Sequence, residues 1–268
     1  LGLVRGYLGR VCDEIAAIPS TLAVFDATLT DLRRRFEPLA KTVAEHAAID
    51  AERKQAVADA VNELLDAVAP YETDQAALLF ALDKFGRKFA KALPEGNGGQ
   101  HAARQVFDPI AEAIRGLAKQ VDLLYKLAAR VADLGRELAG DEAIAIAYDR
   151  RDTGKLVKQL DDKRKAAIDQ LKRAVYFHRQ IVWLQDRFPK GELESVPGLV
   201  KLVDRKEIEA ADWSLTPGRY VGIAPPEVDD DFDFEQTLRD IHTELADLNK
   251  EAAELAAKIQ TNFEELGV

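Results

Sequence analysis

The sequence predicts an all-α fold: an elongated bundle of long helices with antiparallel coiled-coil character, plus a loop-rich segment before a C-terminal helix. Three observations predict it. Apolar residues recur at alternating spacings of three and four over long stretches. The chain is 47% hydrophobic and 31% charged but only 7% aromatic, a balance of Ala, Leu, Glu, Lys and Arg that loses little side-chain entropy in a helix. No stretch sustains the period-two alternation of a strand.

The elements follow in order. Leu22, Phe25, Leu29, Leu32, Phe36, Leu39 and Val43 form a heptad seam. Pro19-Ser20 reads as its start, and Pro38 predicts a kink or break near Glu37. Asp50 is a good N-cap for a second helix, which carries Val57, Val61, Leu64, Leu65 and Val68 and is expected to end at Pro70. A third is expected from about Thr73 to Leu93, with Leu78, Leu82, Phe85 and Phe89 on one side. Pro94-Glu95-Gly96-Asn97-Gly98-Gly99 is the clearest turn.

The next seam is Ile110, Ile114, Leu117, Val121, Leu124, Leu127 or Ala128, Val131, Leu134 and Leu138, with Gly140-Asp141 as an interruption. A further helix covers about Leu156 to Arg187, with Leu156, Leu160, Ile168, Leu171, Val175 and Val182. At the α-helical rise, 30 residues span about 45 Å. From Phe188 to Val228 Pro and Gly punctuate the chain, with a short helix expected at Arg205–Ala211. An acidic hinge, Asp229-Asp230-Asp231-Phe232-Asp233, leads to a last helix with Leu238, Ile241, Leu245, Leu248, Ala252, Leu255 and Ile259 at heptad spacing. Glu254 and Lys258 form an i,i+4 pair on it. Three regions result: 1–187, 188–228 and 229–268.

Composition excludes some classes of function. A net charge of −10 argues against a generic phosphate-backbone binder. The single Cys12 rules out an internal disulfide and suits a reducing cytosol. The chain shows no uninterrupted apolar run of about 18 residues, so no membrane span is expected, and a cytoplasmic location is. Leu1-Gly2-Leu3-Val4-Arg5 does not read as a secretory signal. The chain starts at Leu1 and contains no Met, so it is expected to be a fragment.

Tests for catalytic chemistry fail one by one. Gly96-Asn97-Gly98-Gly99 follows no buried strand, so it reads as an interhelix turn rather than a phosphate loop. His46, His101, His178 and His242 lie far apart, none with a second His or Cys at metal-ligand spacing. Cys12 has no nearby base and reads as a buried thiol. Asp and Glu fall mainly on polar helix faces, the ordinary place for solvated charge.

One region opposes the overall charge. Arg150, Arg151, Lys155, Lys158, Lys163, Arg164, Lys165, Lys172, Arg173 and Arg179 face only Asp152, Asp161, Asp162 and Asp169, with Tyr176, Phe177 and Trp183 nearby. Basic residues with aromatics can hold nucleic acid. Arg150, Arg151, Lys155, Lys163, Arg164 and Lys165 are therefore candidate DNA contacts. The competing reading is pairing with acidic helices. The stretch 227–268 holds thirteen acidic residues against Arg239, Lys250 and Lys258.

The last third resembles a known family. Tyr176-Phe177-His178-Arg179-Gln180-Ile181-Val182-Trp183-Leu184-Gln185-Asp186-Arg187-Phe188-Pro189 and Val196-Pro197-Gly198-Leu199-Val200-Lys201 look like segments of the modification subunits of type I restriction–modification systems. The most specific piece is Trp213-Ser214-Leu215-Thr216-Pro217-Gly218-Arg219-Tyr220-Val221-Gly222. Thr216 stands where the family usually has Asn. The resemblance covers residues 172–268; the part from Leu3-Val4-Arg5-Gly6-Tyr7-Leu8 onward resembles a helical insertion of some members, less specifically.

Such subunits resemble bacterial adenine-N6 DNA methyltransferases that use S-adenosylmethionine. Their Phe-x-Gly-x-Gly cofactor loop and their Asn-Pro-Pro-Phe or Asp-Pro-Pro-Tyr motif do not occur here. Ala224-Pro225-Pro226-Glu227 has the prolines but neither the polar residue nor the aromatic. The resemblance therefore implies no catalytic, metal or cofactor residue in this chain; S-adenosylmethionine is implied only for an intact parent.

What it implies instead is assembly with a specificity subunit through Leu238, Ile241, Leu245, Leu248, Ala252, Leu255 and Ile259, with an endonuclease subunit as a further possible partner and DNA reached through the complex. Arg219 and Tyr220 either face DNA or the catalytic domain's cleft, or else Tyr220 packs the loop to the helices and Arg219 pairs with a carboxylate. The alternatives are a structural coiled-coil protein and a DNA-contacting helical module built on 150–179.

Overall fold

The computed structural model describes residues 1–224 together with Leu238, Leu245 and Ala252. The chain divides into Leu1–Leu193 and Glu194–Val268. Among the described residues the secondary structure is helical, with one isolated bridge between Val196 and Val200, and the all-α expectation holds.

The first unit is built on four long helices: α1 (Gly2–Glu45), α2 (Ala51–Phe89), α3 (Asn97–Leu138) and α5 (Arg150–Arg187), with the short α4 (Glu142–Ala147) between the last two. They close a ring in which α1 packs on α5, α5 on α3, α3 on α2 and α2 on α1. Neighbours in the ring are antiparallel. Arg5 pairs with Glu95 while Arg33 pairs with Glu72. Phe107 meets Phe85 while Arg130 meets Glu63. Glu14 meets Gln170 while Arg35 meets Asp152.

Aspartates start three of these helices by accepting backbone N–H groups that have no intrahelical partner: Asp50 from Arg53, Asp141 from Ala143 and Ile144, and Asp149 from Asp152. Each such cap contributes about 1 kcal/mol.

The expected seam Leu22–Val43 is buried at all seven positions. The boundaries drawn at proline are corrected. Pro19, Pro38, Pro70 and Pro109 all lie inside helices. Pro19-Ser20 starts nothing, Pro38 breaks nothing, and the two helices expected on either side of Pro70 are the single α2. All four prolines are exposed, on the outward side of their helices. An interior proline costs about 3 kcal/mol. Against it, α1 buries thirteen residues, each apolar side chain contributing about 1.5–3 kcal/mol. Burial wins, and the helix runs on.

A smaller correction follows from packing. Leu65, expected on the apolar stripe of α2, is 45% exposed, and Tyr71 is buried instead. No uninterrupted apolar run of about 18 residues occurs in α1, yet one stretch of it is apolar on average. An 18-residue window there is apolar enough to cross a membrane by length and composition alone. Between Glu14 and Arg33 only Asp26 and Asp31 are charged, because Ala, Val and Thr fill even the outward face. The seam of that stretch is packed within the bundle.

At the closed end of the bundle, Tyr148 is buried after α4 and donates its hydroxyl to the carbonyl of Ala132 at 2.7 Å. Gly135 makes room for it: a Cβ there would lie 2.8 Å from both the Tyr148 ring and Leu39 Cδ2. At the other end, Phe188–Leu193 still belongs to the first unit, beyond the boundary expected at 187. Asn97 donates to the Pro189 carbonyl at 2.7 Å, and His101 Nε2 lies 3.0 Å from the same oxygen.

Candidate functional site

The basic face of α5 is set by what the helix turns inward. Leu160, Ala167, Leu171, Ala174, His178, Ile181 and Gln185 are buried. The small residues among them suit close contact with α1 and α3. The cations point the other way. Arg150, Arg151, Lys155, Lys158, Lys163, Lys172 and Arg173 are exposed and make no ion pair among the described residues.

Arg164 is different. Its guanidinium donates to Asp122 of α3 at 2.5 Å and to Asp161 at 2.6 Å, and stacks 4.7 Å over the Tyr125 ring. Burial pushes the Asp122 carboxyl up, but hydrogen bonds from Lys126 and Arg164 outweigh it and hold the group below its ordinary range. For Asp161 burial also pushes up, and Lys165 and Arg164 prevail. Lys165 pairs with Asp161 at 2.6 Å yet stays 60% exposed. Arg164 thus ties α5 to α3. Arg150, Arg151, Lys155 and Lys163 stand open to solvent.

The ridge ends beside an open depression of about 500 Å³ lined by Glu14, Asp169, Lys172, Arg173, Tyr176 and Phe177. Tyr176 is 57% exposed. Its ring meets Phe177 edge-on at 5.3 Å, and Phe177 rests on Tyr7 at 6.1 Å.

The described part of the second unit holds the blocks 196–201 and 213–222. Val196 and Val200 exchange backbone hydrogen bonds, closing the Pro197-Gly198 turn. Gly198 has φ +74°, and its N–H donates to the Val221 carbonyl at 2.6 Å. A Cβ on Gly198 would lie 2.3 Å from the Ala224 nitrogen. The turn and the 213–222 block are therefore pinned together through a position that only glycine fits.

Between them stands α6 (Arg205–Ala210), started by a capping box of Asp204 and Glu207. Asp212 and Trp213 follow in the left-handed region at φ 55° and 58°. This reversal leaves Trp213 56% exposed, with the Arg205 guanidinium 5.6 Å from its ring centre. Pro217–Arg219 forms a 3-10 turn. Tyr220 donates its hydroxyl to the Ser214 carbonyl, and Arg219 donates to the Ala211 carbonyl at 3.4 Å. Both hold their own loop, though Arg219 remains exposed. The Thr216 hydroxyl sits 3.2 Å from the Ser214 hydroxyl.

Of the C-terminal seam, Leu238, Leu245 and Ala252 are helical and exposed. Leu238 is 55% and Leu245 54% exposed. Ile241, Leu248, Leu255 and Ile259 lie outside the described residues, as does the acidic hinge.

Spacing alone did not reveal one buried polar group. His178 is 6% exposed, with Nε2 at 2.7 Å from Asp108, while Arg104 bridges Asp108 and Asp186. Burial lowers the His178 pKa against the opposing pull of Asp108. The signal in the sequence was its place on the inward face, four residues after Ala174 and three before Ile181. Among the described residues no cluster of His, Cys, Asp and Glu could hold a metal ion.

These features define a long-helix bundle with a cationic ridge, joined in sequence to a small loop-built unit and an apolar heptad. No family model, curated protein or solved structure matches the chain.

Proposed function

We propose that this chain is the C-terminal assembly region of a type I restriction–modification methyltransferase subunit. In this reading its terminal helix packs against the helices of the specificity subunit and so directs adenine-N6 methylation by the intact parent. The fragment itself does not catalyse; the parent would bring S-adenosylmethionine and its catalytic domain, and an endonuclease subunit could join the same complex. Support comes from the ordered match of the 176–189, 196–201 and 213–222 segments to the family.

The observation that carries the assembly role is the exposure of Leu238 and Leu245, 55% and 54%, each in helical conformation and one heptad apart in sequence. Two large apolar side chains at that spacing are suited to insert into the holes of a facing helix. Ala252, one heptad further on, would permit close approach. A plain coiled-coil rod, the competing reading, has no use for the folded turn, cap and loop between Glu194 and Ala224.

The test is co-purification with a specificity subunit. The wild-type chain is expected to co-elute with it. Leu245→Glu with Leu248→Glu is expected to abolish co-elution while leaving helical circular dichroism unchanged. Co-elution untouched by the double variant would sink the seam as the docking element.

A further inference from the structure

We propose that the outward face of α5 is a docking ridge for the phosphate backbone of duplex nucleic acid. Arg151, Lys155, Lys158, Lys172 and Arg173 fall on one side of α5 at the 3.6-residue period, opposite the buried Leu160, Ala167, Leu171 and Ala174. Lys165 shares this face, held by Asp161 but still 60% exposed. Asp162 and Asp169 are the acidic residues of the face, so cations outnumber them.

Three physical points choose the partner. First, the cations are uncommitted: apart from Lys165, none of those named pairs among the described residues. Long flexible cationic side chains that form no ion pair are available to displace counterions from a polyanion. Second, the ridge lacks the apolar centre that a protein partner would need. Protein interfaces deplete charged residues at their cores, whereas phosphate contacts are made by Lys and Arg directly. Third, the length fits. From Arg151 to Arg173 the helix rises about 33 Å at 1.5 Å per residue, close to one turn of duplex at roughly 34 Å. The ties of α5 to α3 through Arg164 and Asp122, and to α1 through Gln170 and Glu14, hold the ridge in place. The chain's net charge of −10 resides elsewhere, so binding is expected only along this face and at low salt.

The ridge lies wholly within Leu1–Leu193 and does not depend on the assembly reading. The experiment is fluorescence anisotropy of the whole chain with a labelled mixed-sequence duplex, across added salt from about 20 to 200 mM. Wild type is expected to bind with a log–log salt slope of about −3 to −4, as for roughly four phosphates neutralised. Lys155→Glu with Lys172→Glu is expected to weaken binding about tenfold or more and to reduce the slope by about 2.

A control of equal charge change, Lys84→Glu with Lys91→Glu, uses exposed lysines away from α5 and is expected to leave the slope unchanged. Absence of wild-type binding would overturn the proposal. So would an equal fall in both double variants, or binding to anionic phospholipid vesicles without binding to duplex. Failure of specificity-subunit co-elution would leave this measurement untouched, so the two proposals fail separately.

Discussion

Tyr71 donates its hydroxyl to Asp26 at 2.6 Å, joining α2 to α1 one residue beyond a proline that does not end its helix. Its ring is 2% exposed and lies edge-on to Phe25 at 6.3 Å. Gln75 donates to the other Asp26 oxygen at 2.7 Å. Burial, with the hydrogen bond to Asp26 next, raises the phenol pKa well above its ordinary value, so Tyr71 stays a donor.

Tyr71→Phe is therefore expected to cost about 1.5–3 kcal/mol, the value of one hydrogen bond to a charged acceptor, with the ring's packing kept. Chemical denaturation checks it: the midpoint should fall with an unchanged slope. A midpoint equal to wild type would mean that Gln75 alone satisfies Asp26.

Gly135 gives a steric prediction. A methyl group there meets Tyr148 and Leu39 at 2.8 Å, both of them packed side chains. Helix propensity alone would favour Ala by about 1 kcal/mol. Overpacking costs about 1–3 kcal/mol and here also threatens the Tyr148–Ala132 hydrogen bond. Gly135→Ala is expected to lower the melting temperature, and Gly116→Ala, with open space around it in the same helix, to raise it slightly. The opposite order would show that α4 and Tyr148 yield without cost.

His178 sets a pH dependence. Burial lowers its pKa below the ordinary 6.5, opposed by Asp108. The unfolded chain therefore takes up a proton near pH 6.5 that the folded chain still refuses. This contribution to stability is full above the unfolded value and is lost as pH falls through the folded one. Thermal melts of wild type should show lower stability on going down from pH 7. His178→Gln should flatten that component. A His178→Gln profile parallel to wild type would place the pH dependence in other groups.

Cys12 is buried, and burial followed by Asp13 pushes its thiol up to about 11. At pH 8 roughly one thiol in a thousand is then ionised. Reaction with an aromatic disulfide reagent is expected to be slow in the native protein and prompt in denaturant. Prompt native labelling would contradict the packing of α1 around Cys12.

Much of the bundle was legible in residue order. Leu22 to Val43 repeat at three and four, and that period places them on one face whatever the partner. Asp50 before an apolar run marked a helix start for a local reason, its carboxylate reaching the Arg53 N–H. The single Cys12 on an apolar stripe read as buried. On α5 the pattern was weaker because Ala167, Ala174, His178 and Gln185 occupy inward positions that large apolar residues usually take. The reading followed Leu156, Ile168, Val175 and Val182 instead, which are only partly buried.

The sequence by itself determined that the chain is helical, which faces of its first helices turn inward, and where a cationic stretch interrupts an acidic chain. Those properties depend on period, capping and charge, all of which act within a few residues. Only the tertiary structure decided that α1, α2 and α3 continue through their prolines, because burial summed along a whole helix exceeds a local penalty of about 3 kcal/mol. It also decided which cations are free. Arg164 and Lys155 are alike in sequence, but Asp122 of α3 lies 2.5 Å from the one, while Lys155 is exposed without an ion pair among the described residues. The distance to a carboxylate on another helix is set by how the helices pack.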